Sequence, residues 1–97
     1  MTLASSSVTV QATTPQVEID NDSSDRFTII EVFADDRRGL LYEITRTLFE
    51  LGLSVHSARI STHVDQVVDV FYVTTQDGRK IADDAARDVI CARLLVA

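Results

Sequence analysis

Hydrophobic and polar residues alternate along this chain with two periods, and the first switch between them falls at one short stretch. Val17–Asp20 alternates apolar and acidic residues, as a short edge strand does. Asn21–Asp25 (NDSSD) is dense in turn formers. Arg26–Ala34 then offers apolar residues on both parities: Ile30, Val32 and Ala34 on one side, Phe27, Ile29 and Phe33 with Glu31 on the other. A strand apolar on both sides has both sides covered. Strand, turn and strand predict an antiparallel hairpin. At Ala34–Leu41 (ADDRRGLL) the period changes from two to 3.6. Leu40, Leu41, Ile44, Leu48 and Leu51 form one stripe of a helix over about Gly39–Leu51, with Glu43, Arg46, Thr47 and Glu50 opposite and Tyr42 and Phe49 on a flank. Gly52 is placed as its stop.

In the next strand, Leu53–Thr62, the alternation breaks: Leu53 and Val55 share one parity, Ala58 and Ile60 the other. A one-residue slip would throw core residues into solvent, so a bulge or bend is expected near His56–Ser57. His63–Gln66 reads as a short turn. Gln66–Thr75 (QVVDVFYVTT) follows as a hairpin partner, Val68, Val70 and Tyr72 against Val67, Phe71 and Val73, with Asp69 interrupting the second set. Asp77–Gly78 is a turn. Asp83 or Asp84 caps a second helix of about 12 residues with a weaker stripe, Ala85, Val89 and Ala92 beside Ala86, Ile90 and Leu94.

The order strand, strand, helix, strand, strand, helix predicts a split βαβ, because a crossover helix is right-handed and lands its strand parallel to the first. The expected fold is an α+β ferredoxin-like sandwich, a four-stranded antiparallel sheet with both helices on one face. The usual last strand is missing, and Val17–Asp20 is expected to fill its slot from the other end of the chain. One sheet face then stays bare. By parity, Phe27, Ile29, Phe33, Val67, Phe71 and Val73 are expected there, with Asp69 among them, as an interaction surface for another such domain, face to face or edge to edge. Cover by the leader is the alternative.

Composition narrows the function. The chain has 97 residues, room for one small domain, with 45% hydrophobic and 25% charged residues. A net charge of -6 without a basic face argues against a nucleic-acid partner. Its one cysteine, Cys91, cannot close an internal disulfide. It is expected to pack as a small hydrophobe. No apolar run reaches the roughly 20 residues of a membrane span, and the start (MTLASSSVTVQ) lacks the pattern of a secretory signal. These features lead us to expect a cytoplasmic domain with no membrane association. Residues 1–16 are Ser- and Thr-rich and read as a linker, with a strand-like pattern at Val8–Val10; residues 17–97 form the domain. Such a leader suggests a piece of a longer protein.

The candidate chemistry gathers at the strand-to-helix turn. Gly39 has no side chain, so a ligand over the turn reaches backbone N–H groups of a helix N-terminus, where the macrodipole favours an anionic group. Arg37 and Arg38 have two open readings: partners for a ligand carboxylate, or solvated charges balancing Asp35 and Asp36. His56, His63, Asp65 and Asp69 do not form a metal site, because alternation scatters them and a metal needs three or four convergent ligands. Ser57 has no evident base, so no catalytic residue is assigned. No cofactor is expected. Asp69 is read either as an edge position with a local ion pair or as an inter-domain contact.

FADDRRGLLYEITRTLFELGLSVHSARIST, followed by QVVDVFYVT and DGRKI, resembles an ACT domain, the small amino-acid-sensing module of metabolic enzymes. More narrowly, VEIDNDSSDRFTIIEVFADDRRGLLY is similar to the C-terminal ACT repeat of the bifunctional uridylyltransferase/uridylyl-removing enzymes that modify the nitrogen-regulatory PII protein. Related plant ACT-repeat proteins share similar motifs. The resemblance covers about Val17–Ile81. It implies a non-catalytic module that pairs side by side, as a homodimer or with a tandem ACT domain, and binds an amino acid, with glutamine favoured. The implied ligand residues are Asp35, Arg37, Gly39, Leu40 and Leu41 on the turn, with His56, Ser57 and Ala58 on the opposing strand of a neighbour. The parent would be a nucleotidyltransferase, with the PII protein as its partner. Arg38 stands where family members typically have proline, which leaves an extra N–H and a mobile charge beside the turn. The alternative is a ligand-free dimerisation or assembly module.

Overall fold

Turn chemistry closes the first hairpin. The Asp20 carboxylate accepts the backbone N–H groups of Asp22 (2.8 Å) and Ser23 (3.1 Å) and the hydroxyl of Ser23. Ser24 Oγ accepts the amides of Arg26 (3.2 Å) and Phe27 (3.1 Å). These side chains compete with any ladder for the backbone, so the chain reverses here. The computed structural model describes residues 16–35, 38–63 and 66–95. In it β1 (Gln16–Asp20) pairs antiparallel with β2 (Thr28–Asp35), Val17 facing Val32 and Ile19 facing Ile30.

Gly39, at φ 80°, ends the turn after β2 and opens α1 (Leu40–Glu50). Leu40, Ile44 and Leu48 are buried along the predicted stripe. Leu41 is not; 43% of its surface stays exposed. Thr47, assigned to the polar side by type, is buried instead. Its hydroxyl donates to Glu43 O at 2.8 Å, which satisfies the polar group inside the helix. Gly52, at φ 78°, stops the helix, its N–H donating to Phe49 O at 3.0 Å.

After α1 come β3 (Leu53–His63) and β4 (Gln66–Thr75), then α2 (Asp84–Leu95). The register of β3 against β4 shifts between Val55 and Ser57 and leaves His56 as the extra residue, the bulge the broken alternation required. The expected turn at His63–Gln66 lies partly outside the described residues, and Val8–Val10 wholly so. Gly78, at φ 83°, turns the chain after β4. Asp83 caps α2, its carboxylate accepting the Ala85 N–H at 3.1 Å.

The sheet order is β1-β2-β4-β3, antiparallel throughout, so β1 occupies the edge beside β2 where a last strand would otherwise lie. This is the ferredoxin-like α+β sandwich. One layer is the sheet; the other is α1 and α2, joined at their surface where Glu50 meets Arg46 at 3.1 Å and Arg93 at 3.0 Å. Such exposed pairs contribute about 0.2–1 kcal/mol, so packing decides the helix positions. Ile30, Val32 and Ala34 of β2 meet Val67, Phe71 and Val73 of β4 beneath Ile44, Leu48, Ile90 and Leu94. Cys91 is half-buried on α2, and burial and Asp88 push its thiol up.

One expectation is corrected. Val67, Asp69 and Phe71, together with Val73, do not share a bare face with Phe27, Ile29 and Phe33. They pair with Ala34, Val32, Ile30 and Thr28 and are buried under the helices, with exposures of 5%, 1%, 0% and 0%. The uncovered face carries Ile29 and Phe33 with Val68, Val70 and Tyr72. Both residue sets of β4 are apolar. Parity alone does not say which set faces the helices, and Asp69 lies at the covered centre of an inner strand and not at an edge.

Candidate functional site

The turn before α1 opens onto a hollow of about 230 Å³. Gly39, Leu40, Leu41 and Tyr42 form one wall; Ile60 and Thr62 of β3 and Val67 and Asp69 of β4 form the other. The topology places it there because β4 runs back between β2 and β3, which brings the end of β3 and the start of β4 under the N-terminus of α1. Gly39 has nothing within 4 Å of where a Cβ would stand, so its left-handed φ, not crowding, demands glycine. The helix opens on a residue without a side-chain cap. Backbone N–H groups of the first turn are therefore the polar feature of that wall. Opposite them Asp69 brings a buried carboxyl group, and Ile60 and Val67 supply apolar surface.

The structure divides the sequence-predicted residues. Gly39, Leu40 and Leu41 line the hollow, while Asp35 and Arg38 are exposed beside it. Arg37 lies outside the described residues. His56, Ser57 and Ala58 lie on the outer strand, exposed and outside this hollow. His56 turns to the uncovered face, its ring centroid 5.1 Å from that of Phe27 and its Nε2 2.8 Å from Thr74 Oγ1. Thr74 Oγ1 also lies 2.9 Å from Thr75 O, so the hydroxyl bridges the imidazole and the backbone. His56 and Asp69 thus sit on opposite faces of the sheet. Sequence reasoning missed Tyr42, Ile60, Thr62, Val67 and Asp69 as lining residues. Ile60 and Thr62 share the parity of Ala58 beyond the bulge, and that was a usable signal.

The hollow sits at an open edge. From Val55 to Thr62 every residue of β3 is exposed, including Val55 (40%) and Ile60 (50%), and Tyr42 (67%) and Phe49 (76%) stand exposed on α1. Among the described residues, no helix is long and apolar enough to cross a membrane.

Sheet order, bulged outer strand and glycine-opened first helix define an ACT-like domain. A family model described as "ACR9-like, ACT-like domain" matches residues 16–97, and the chain belongs to this family. Its sequence is 48% identical over 83 residues to the bifunctional uridylyltransferase/uridylyl-removing enzyme of Novosphingobium aromaticivorans, covering 86% of this chain and 9% of that enzyme. The enzymes of the same name from Phenylobacterium zucineum (42% over 86 residues; 89% of this chain, 9% of that enzyme) and Erythrobacter litoralis (47% over 81 residues; 84% and 9%) are also similar. The chain therefore spans about a tenth of the length of these relatives.

Proposed function

We propose that this chain is a regulatory amino-acid-binding module, with glutamine the first candidate ligand, that controls a uridylyltransferase/uridylyl-removing enzyme acting on a PII protein. One observation carries the reading: the hollow sets the N–H groups of a helix N-terminus against the Asp69 carboxyl group across an apolar floor, a polarity that suits a small zwitterion. The ligand carboxylate meets the N–H groups after Gly39. Its ammonium lies toward Asp69, and its side chain toward Ile60 and the flank of Tyr42.

Exposure argues that the site is shared. The hollow is open along β3, where Ile60 of its wall stays half exposed, so one copy alone leaves a bound ligand in contact with water. In this reading the exposed edge of β3 pairs antiparallel with β3 of a second ACT-like domain, tandem or copy. A two-fold axis near Ala58, perpendicular to the sheet, keeps the helix-covered faces of both copies on one side, so the backbone of His56 and Ser57 and the side chain of Ala58 close the neighbour's hollow. Isothermal titration of the folded, paired chain with each of the twenty amino acids tests the proposal. Saturable binding of glutamine supports it, and no heat from any of them overturns it. The exposed apolar residues around this edge also favour a second reading, a ligand-free assembly module, for which the oligomer would form with the same affinity whatever amino acid is added.

A further inference from the structure

The uncovered sheet face has an order of its own. The register aligns three rows across β1, β2, β4 and β3: Gln16–Phe33–Val68–Ser61, Glu18–Glu31–Val70–Arg59 and Asp20–Ile29–Tyr72–Ser57. The two inner strands form an apolar stripe, interrupted by Glu31. The outer positions are acidic on the β1 side and basic at Arg59 on the β3 side. Glu18 and Glu31 are direct cross-strand partners, an arrangement of like charges that destabilises a sheet unless a cation joins it. Among the described residues, neither they nor Arg59 makes an ion pair.

We infer that this face docks on the same face of a second copy, about a two-fold axis lying between the sheets and parallel to the strands. That operation reverses each row. Phe33 meets Val68 of the second copy, Ile29 meets Tyr72, and Arg59 reaches Glu18 and Glu31 of the opposing copy, so both like-charge pairs gain a cation. Strands so related run in nearly the same direction, as aligned sheet packing requires, within about 30°. The occupant is a second copy because the face complements itself: acid against base at both margins, apolar against apolar between. Four strands about 4.8 Å apart, of five, eight, ten and eleven residues, present roughly 500 Å². A standard interface buries about 800 Å² per partner, so the pair forms and separates with concentration. This contact is independent of the edge pairing in the proposed function, which leaves β1 and β2 remote from the partner.

Sedimentation of the 97-residue chain across a concentration range, with and without charge reversals, tests the inference. Arg59→Glu is expected to weaken association at least tenfold. Adding Glu18→Arg and Glu31→Arg to it should restore association to within about threefold, since the swap re-creates the same contacts with reversed sign. Val68→Asp, folded by circular dichroism, should also weaken pairing tenfold or more. A monomer at every concentration overturns the proposal; so does association indifferent to Arg59→Glu, or a triple variant that does not recover.

Discussion

The hydroxyl of Thr28 accepts the backbone N–H of Ile81 at 2.8 Å, across 53 residues of sequence, and donates its own proton to Asn21 Oδ1. Asn21 Nδ2 in turn donates to Ile81 O at 2.7 Å, and Lys80 Nζ donates to Asn21 O at 2.7 Å. One fully buried threonine thus ties the first hairpin to the segment that launches α2. Replacing it with isosteric valine leaves the Ile81 N–H without its acceptor inside the protein, a loss of about 1–3 kcal/mol. Thr28→Val should show that loss in urea denaturation, with Thr28→Ser close to wild type. Equal stability of all three would remove the network from the account of α2 docking.

Gly39 supports a second prediction. Its φ of 80° costs an L-residue about 1–2 kcal/mol, while the space around its missing Cβ is open. Conformation and not volume should therefore rank the substitutions: Gly39→Asn, which tolerates the left-handed region, loses less stability than Gly39→Ala, and Gly39→Val loses most. Thermal melts check the order. Asn and Val falling together would point to crowding instead.

Asp20 gives a pH dependence. The Ser23 hydroxyl, foremost, and the backbone N–H groups of Asp22 and Ser23 hold its carboxyl below the usual carboxylate range. A folded-state value below the unfolded one, about 3.9, adds stability above that pH, and the contribution is lost as pH falls through the folded value. Asp20→Asn keeps an acceptor for the two amides but cannot titrate. The variant should therefore show a shallower loss of stability below about pH 4 than wild type. Parallel slopes from pH 5 to pH 2.5 would remove Asp20 from the acid transition.

Much of this was readable in the chain because period and parity are local properties. The break between Val55 and Ala58 located the bulge at His56, and the change of period at Gly39 located α1. Which apolar set of β4 faces the helices is not local. Val68, Val70 and Tyr72 are as apolar as Val67, Phe71 and Val73, and the choice depends on register with β2 and on the bulge. Asp69 does not settle the choice either: a carboxyl group in an apolar set suits an edge or an interface, and here it is buried in the wall of the hollow. Leu41 and Thr47 show the same limit in the helix: residue type placed Leu41 inside and Thr47 outside, while an open edge and a hydroxyl bonded to the preceding turn reversed them.

The shared-site reading makes a prediction that neither half-site makes alone. Ile60 is half exposed on the hollow's outer wall, so Ile60→Lys should change stability by less than about 0.5 kcal/mol while placing a cation where the ligand ammonium and side chain would lie. Val55 lies on the helix-covered side of β3, exposed and outside the same chain's hollow, so Val55→Glu affects binding only through the neighbour. Each variant alone should bind glutamine at least tenfold more weakly. In a mixed pair one site carries both defects and the other carries none, because a two-fold pair exchanges the same surfaces. Random pairing of equal amounts of the two variants should then restore wild-type affinity at roughly a quarter of the sites. Titration calorimetry reads that fraction directly, and sedimentation confirms that the variants still pair. A mixture that binds no better than its components would place the whole site within one chain, leaving Val55 with no part in the ligand's recognition.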